Sequence, residues 1–527
     1  MLSGVPASPG TAVGPLARLA PAPVLPAERP EPGPDEHARA MAALDTVVSE
    51  LEGRAAGLSG DLRDIMDTQV MMARDPALAA GVRAAVERGL PAAWAVHEAF
   101  DVHLEALSAV GGYLGERVGD LADLRDRAVA VLLGLPRPGP PSDDTPHVLA
   151  AVDLAPADTV VLDPARVLAI VTEKGGPTSH TAIVARSLGI PAVVACPAVA
   201  AVAEGTRVIV DGGAGTVAVD PSDSEVARVR AAARERADDL AAHTGPGRTA
   251  DGHPVALLLN VGGGDAGGAV DAEGVGLFRT EFLFLDRATA PSFDEQRAAY
   301  SAVFSAYPGR PVVVRTLDAG ADKPLPFATA GDEPNPALGV RGYRIARRDP
   351  ALLDTQLAAI AAAAAECRAD VRVMAPMIAT PAEAAAFAAA ARGAGLAAVG
   401  VMVEIPAAAL RAAAILAEVD FVSVGTNDLA QYTFAADRTL GELGDLLDPR
   451  QPALLSLVAA VASAGRAAGK PVGVCGTAAG DPGLAPVFAG MGVTSLSMPA
   501  ALVPAVRAAL RAHTLAECAD LAAAAVR

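Results

Sequence analysis

Cysteine is scarce in these 527 residues: Cys196, Cys367, Cys475 and Cys518 are widely spaced and form no CxxC pair. That excludes a disulfide framework or a zinc ribbon and leaves four reduced thiols. Aromatics are few, with one Trp, five Tyr and eleven Phe. Basic residues are outnumbered, 42 Lys and Arg against 61 Asp and Glu, for a net charge of −19. A chain of that sign repels phosphate backbones and anionic lipid unless cations gather locally, so nucleic acid and membrane are not expected partners. No run reaches the roughly 18 uninterrupted apolar residues of a membrane span. Met1 to Pro9 has neither the basic start nor the apolar centre of an export signal, so the expected location is the cytoplasm.

What is plentiful is alanine-rich apolar sequence, 52% hydrophobic against 20% charged, the balance of a folded globular chain. At roughly 150 residues per domain the length holds about three or four domains, fewer if one is a large barrel. Proline and glycine cluster at Pro21 to Pro34 and again at Pro136 to Pro141, where a helix cannot continue. Between these clusters, about 35 to 134, apolar residues keep helical spacing (Leu62, Ile65, Met66, Gln69, Val70; later Val102, Leu104, Leu107, Val110), which predicts a small helical bundle.

From Val148 the pattern changes to short β-rich runs: Val148 to Val152, Val160 to Leu162, Val167 to Val171, Val193 to Ala195, Val208 to Val210 and Val217 to Val219. With a helix after Ser179 these predict an α/β module. Residues 223 to 243 are charged and helix-forming, a single connecting helix. Beyond it, eight β-type runs alternate with helical stretches: Val255 to Val261, Gly274 to Phe278, Val312 to Arg315, Val371 to Ala375, Val399 to Val403, Phe421 to Val424, Pro471 to Val474 and Ser495 to Met498. That count over about 270 residues predicts a (β/α)8 barrel, with an open doubly wound sheet as the alternative.

In a barrel, reacting groups sit just after the strands. The second expected strand ends in Arg279-Thr280-Glu281 and the third in Arg315-Thr316-Leu317-Asp318, with Lys323 beyond it. The fifth ends in Glu404, the sixth in Gly425-Thr426-Asn427-Asp428 and the seventh in Cys475. Arg341 and Arg438 lie in long excursions after strands three and six. Any one arginine alone is most simply a surface ion pair. Four arginines and a lysine converging in an acidic chain instead describe a pocket for a small polyanion bearing phosphate, carboxylate or both. Glu404 and Asp428 offer two hard oxygen ligands of the kind Mg²⁺ prefers, or else cap a helix or pair with arginine. Cys475 is either inert packing or a proton donor at carbon.

The other centre is GGPTSHTAIVAR, residues 175 to 186. The glycine pair permits a tight turn, and Thr178 or Ser179 can cap the helix that follows. His180 falls in its first turn, where the macrodipole favours a neutral imidazole and an attached anion, which suits a histidine that carries a phosphoryl group. A solvated or capping histidine is the plain alternative.

These segments resemble the phosphoenolpyruvate-utilising enzymes, and within them enzyme I of the bacterial sugar phosphotransferase system. GGPTSHTAIVAR looks like the family's phosphohistidine signature, and DFVSVGTNDLAQYTFAADR, residues 420 to 438, like its second signature. The likeness also takes in LSGVPASPGTAVGP, GVGLFRTEFLF, VVVRTLDAGADKPLP, NPALGVR and VGVMVEIPAA, so it runs nearly end to end. It implies a multidomain α/β chain: a swivelling phosphohistidine domain (1–20 and 146–221) with an inserted helical bundle (35–134) that docks the phosphocarrier protein HPr, a linker helix (222–245), and a barrel (250–527) that binds phosphoenolpyruvate and dimerises.

By the same resemblance, His180 is phosphorylated by phosphoenolpyruvate and Thr159 supports it. Arg279, Arg315, Lys323, Arg341 and Arg438, aided by Asn427, hold the substrate. Glu404 and Asp428 bind Mg²⁺, and Cys475 protonates the enolate carbon to give pyruvate. Two positions depart from the family pattern: Thr477 stands where a glutamate is usual, and Pro177 where an arginine is common beside the histidine. A dikinase or synthase phosphorylating its histidine from ATP would need a long ATP-grasp domain, for which the residues before 146 are too few. A catalytically dead scaffold would not be expected to keep every proposed phosphate and metal ligand.

Overall fold

A computed structural model of the chain describes residues 1–19, 22–55, 69–110, 118–135, 139, 145–154, 158, 162–176, 179–262, 271–284, 287, 289–320, 325, 327–328, 333–437, 443–444 and 446–527. Its contacts divide it into two compact units, 1–233 and 234–527.

The first unit is built on a sheet of β1 (Leu2–Ser3), β2 (Val5–Ser8), β3 (Thr11–Arg18), β4 (His147–Ala151), β5 (Val167–Thr172), β6 (Ala192–Val194), β7 (Arg207–Asp211) and β8 (Thr216–Val219), in the order β1-β8-β7-β3-β4-β5-β6-β2. The middle strands β3 to β6 run parallel and the flanking pairs antiparallel. Both faces are apolar: Leu149, Ile170 and Val194 pack on one side, Val148, Val171, Val193 and Val210 on the other. Such two-sided burial gives near-continuous apolar strands rather than alternating ones. β1 to β3 are not anticipated from the sequence, because Pro6, Pro9, Gly10, Gly14 and Pro15 break up their apolar pattern. Of the expected Val160 to Leu162 strand, only Leu162 is among the described residues.

Between β3 and β4 come the helices Glu36–Ala55, Pro76–Glu87, Ala92–Val110 and Val118–Leu133, packed around Val47, Leu51, Val82, Val96, Phe100 and Leu124. Pro76 stands at the start of its helix and Asp75 caps Ala77 N–H, a sequence-coded beginning. A buried charge cluster joins these helices to the segment after β4. Arg127 donates from Nε to Asp123 Oδ2 at 2.7 Å and from Nη2 to Asp158 Oδ1 at 3.3 Å.

The helix Asp223–Ala242 spans the boundary between the units. The second unit is a closed ring of eight parallel strands: β9 (Ala256–Val261), β10 (Val275–Arg279), β11 (Pro311–Arg315), β12 (Asp370–Ala375), β13 (Ala398–Val403), β14 (Phe421–Gly425), β15 (Val472–Cys475) and β16 (Ser495–Met498). β16 pairs back onto β9, which eliminates the open sheet. Val312, Val314, Val373, Val401, Val403, Val422, Val424 and Val474 pack outward under the helices. The alternate positions Leu277, Val313, Met374, Met402, Phe421 and Cys475 form a separate cluster inside the ring. With a side-chain period of two, the last inward positions at the C-terminal ends are Arg279, Arg315, Glu404 and Cys475. Among the described residues no helix is long and apolar enough to cross a membrane.

Candidate active site

The barrel mouth holds a network of buried charge. Arg315 Nη2 donates to Glu281 Oε1 at 2.9 Å, and its Nη1 lies 3.2 Å from Asp318 Oδ2. Arg341 grips both oxygens of Asp318, through Nε and Nη2 at 3.1 Å each, and reaches Asp428 Oδ1 through Nη1 at 3.0 Å. The bidentate fork fixes the plane of that guanidinium. Glu281 Oε1 also accepts the N–H of Asp318 at 2.9 Å, so the loop after β11 is tied to the loop after β10. Among the described residues, Arg315 Nε and Glu281 Oε2 are buried without a hydrogen-bond partner. A buried donor left unmatched at a strand end is costly and marks a place where a ligand oxygen would be welcome.

Burial works against the charge on Arg315, yet Glu281, Asp318 and Glu404 outweigh it and raise its pKa, so the guanidinium stays cationic. Glu404, at the exit of β13, accepts the Met377 N–H at 2.6 Å. Burial, then the neighbouring Asp428 and Asp318, push its carboxyl well above the usual range despite Arg315 and Arg341. Carboxylates crowded in this way favour an added cation. Among the described residues no three His, Cys, Asp or Glu side chains gather into a metal cage.

Cys475, the last residue of β15, sits 2% exposed. Its Sγ accepts from Ser423 Oγ at 3.5 Å and donates to Val424 O at 3.5 Å. Burial pushes the thiol up to about 11, which keeps it protonated near neutral pH. Beside it, Thr426, Asn427 and Asp428 form the first turn of the helix Thr426–Phe434, directly after β14. Thr426 Oγ1 donates to Cys475 O at 2.9 Å, and Thr477 donates twice to Asn427 Oδ1. Gly476 makes that approach possible: its φ is +91°, and an added Cβ would lie 2.4 Å from Thr426 Oγ1.

In the first unit, His180 opens the helix His180–Leu188 and Ser179 is its cap, with Oγ accepting Ala182 N–H at 3.3 Å. The approach turns at Gly175, whose φ is +93°, and Ser179 N–H closes onto Gly176 O at 3.0 Å. Thr181 Oγ1 reaches Asp153 Oδ1 at 3.4 Å, holding the helix start against the strand-end segment after β4. The backbone of His180 thus stands at the positive end of a helix; its side chain lies outside the description.

Of the residues singled out in the sequence, the structure brings Arg315, Arg341, Glu404, Asp428, Asn427 and Cys475 to one barrel mouth, with exposed Arg279 at its rim. Thr159, Lys323 and Arg438 lie outside the described residues. Three participants are given no role by the sequence: Glu281 and Asp318, which clamp the arginines, and Ser423, which bonds the thiol. Strand alternation from Cys475 and Gly425 into the barrel would have flagged Ser423.

Comparison with known proteins agrees with this architecture. Residues 236–515 match the PEP-binding domain of PEP-utilising enzymes, 144–215 their mobile domain and 3–117 their N-terminal region. The chain is 54% identical to a phosphoenolpyruvate-protein phosphotransferase of Streptomyces coelicolor, over 99% of its own length and 96% of the relative's. A phosphoenolpyruvate-protein phosphotransferase of Haloferax volcanii is 43% identical over 92% of this chain and 88% of its own. A multiphosphoryl transfer protein of Rhodobacter capsulatus is 39% identical over 99% of this chain and 65% of its own. With its closed parallel barrel and these relatives along its whole length, the chain is a phosphotransferase and belongs to the phosphoenolpyruvate-utilising enzyme family, in the branch of the phosphoenolpyruvate-protein phosphotransferases.

Proposed function

We propose that this enzyme takes the phosphoryl group of phosphoenolpyruvate onto His180, releases pyruvate, and passes the group to the histidine phosphocarrier HPr, as the first step of sugar uptake by a phosphotransferase system in the cytoplasm. The observation that carries this reading is the pair Arg315 and Arg341, buried and clamped by carboxylates at the C-terminal mouth of the barrel. A buried, oriented guanidinium pair is suited to the charge spread over a transferring phosphoryl group.

In this reading Arg279, Arg315, Lys323, Arg341 and Arg438 hold the phosphate and carboxylate of the substrate, and Asn427 donates to it. The lone pair of a neutral His180 nitrogen attacks phosphorus in line with the bridging oxygen, the P–O bond breaks, and the electrons leave as enolate. Cys475 gives its thiol proton to the enolate carbon to form pyruvate. A thiol that burial keeps protonated suits that donor role. Thr159 supports His180 during transfer.

The donor set fits Mg²⁺: Glu404 and Asp428 are hard oxygen ligands, and the like-charge crowding of Glu404 by Asp428 and Asp318 is relieved by a cation. Mg²⁺ held there would neutralise phosphoryl charge. His180 serves two stations, so the α/β part swings about the ends of the 222–245 linker. The helices of 35–134 dock HPr, and the chain is a homodimer through the 250–527 barrel.

The test is incubation of the full chain with ³²P-labelled phosphoenolpyruvate and Mg²⁺. Acid-labile label appears on the intact protein and not on His180→Ala, and it moves to added HPr. An intact protein that acquires no such label overturns the reading.

A further inference from the structure

Thr477 follows Gly476 at the exposed rim of the barrel, two residues past the thiol. Its backbone N–H lies 3.0 Å from Asn427 Oδ1, and its Oγ1 lies 2.9 Å from the same atom. A main-chain N–H can only donate, so the Asn427 atom facing it must be the amide oxygen. The side-chain amide is planar, and fixing Oδ1 with two donors therefore fixes Nδ2, with both its N–H groups, on the other side of Cγ.

The contact is one stitch of a seam. Thr426 Oγ1 donates to Cys475 O at 2.9 Å, so two neighbouring residues of the β14 exit are tied to two residues of the β15 exit. Gly476 allows the seam to close: with φ at +91°, a Cβ there would come within 3.0 Å of Asn427 Oδ1 as well as onto Thr426 Oγ1.

We infer that Thr477 is a positioning residue for substrate binding: its two hydrogen bonds hold the Asn427 amide with its donor end presented to an acceptor oxygen of the phosphoryl substrate. This rests on the proposed function, in which Asn427 donates to phosphoenolpyruvate. An unheld asparagine amide turns over at little cost and would present its carbonyl oxygen to an anion half of the time, a repulsive arrangement. The N–H requires the oxygen side and the hydroxyl adds a second donor to that oxygen, which removes the alternative before the ligand arrives. Because Thr477 is exposed, its substitution leaves no buried cavity.

The test is a binding cycle in the full-length His180→Ala chain, which can bind phosphoenolpyruvate without consuming it. Affinity for phosphoenolpyruvate with Mg²⁺ is measured by calorimetry for Thr477→Val, Thr477→Ser, Asn427→Ala and the Asn427→Ala/Thr477→Val pair. Thr477→Val, which keeps the N–H and the shape but not the hydroxyl, weakens binding about fivefold, the worth of one ordinary hydrogen bond. Thr477→Ser restores affinity to within about twofold, and in the Asn427→Ala background Thr477→Val has no further effect. Undiminished binding by Thr477→Val, or a loss that persists without Asn427, overturns the positioning role while leaving the pocket in place. If Asn427→Ala itself binds like the parent, the substrate reading of the pocket fails, and this inference with it.

Discussion

Each unit buries an arginine almost completely, and the two are used differently. Arg127 and Arg341 both have side chains 1% exposed and both are paired with two aspartates. Arg127 joins a helix of the bundle to the segment after β4; among the described residues its Nη1 makes no hydrogen bond, and Glu50 lies 4.0 Å from it. Its two aspartate partners belong to its own unit, one on its helix and one in the segment after β4. Arg341 shares Asp318 with Arg315, touches Asp428, and belongs to a network at the mouth where four barrel strands deliver their last inward residue. Burial and pairing alone therefore do not mark a site. Placement at the C-terminal ends of parallel strands, with several cations on one set of carboxylates, does.

The largest expected effect lies at Arg127. Replacement by methionine removes the cation held between buried Asp123 and Asp158 and should destabilise the first unit by about 3–5 kcal/mol. Urea unfolding with hydrogen exchange read in the bundle helices measures this, and phosphoenolpyruvate affinity in the His180→Ala chain should not move. Arg341→Ala should do the reverse: His180 phosphorylation from phosphoenolpyruvate falls by about 10²–10³-fold, while HPr-phosphate still labels His180. Loss of both labelling reactions would make Arg341 a structural arginine like Arg127.

A smaller effect sharpens the role of the strand-end seam. Gly476→Ala forces a residue with a Cβ into a conformation reserved for glycine, and should cost about 1–3 kcal/mol of local stability and slow turnover of phosphoenolpyruvate. The mildest is chemical. The raised Cys475 thiol should react slowly with iodoacetamide at neutral pH, with its rate climbing about tenfold per pH unit until near 11. A plateau below pH 8 would mean that the thiol does not hold its proton ready for donation.

The barrel was legible in the sequence because its strands are buried on both faces and therefore appear as short runs of valine and leucine between helices; the eight expected runs coincide with β9 to β16 to within a residue or so at each end. β1 to β3 were not legible, since proline and glycine dilute a signal that the fold completes by pairing β3 with β4 and β7, far away in sequence. At the mouth, residue type and strand-end position singled out Arg315, Glu404 and Cys475, which the structure brings together there, whereas Arg341 reaches them from the excursion after β11. Type and position could not assign Glu281 and Asp318, because a carboxylate a few residues from an arginine looks the same in sequence whether it clamps a buried guanidinium or lies in solvent. Thr477 stood out only as a departure from the family pattern; its two bonds to Asn427 depend on the turn at Gly476.

Met377, past the end of β12, adopts φ +59° although it is not glycine, and its N–H is the one that Glu404 accepts. A side chain in that region is held there at a cost of about 1–3 kcal/mol. Glycine would relieve that strain but would empty the space of a side chain only 1% exposed, a loss of about 2–5 kcal/mol, and would loosen the amide that orients Glu404. Residue 377 thus keeps an unfavourable backbone because filling the interior and aiming the carboxylate both depend on it.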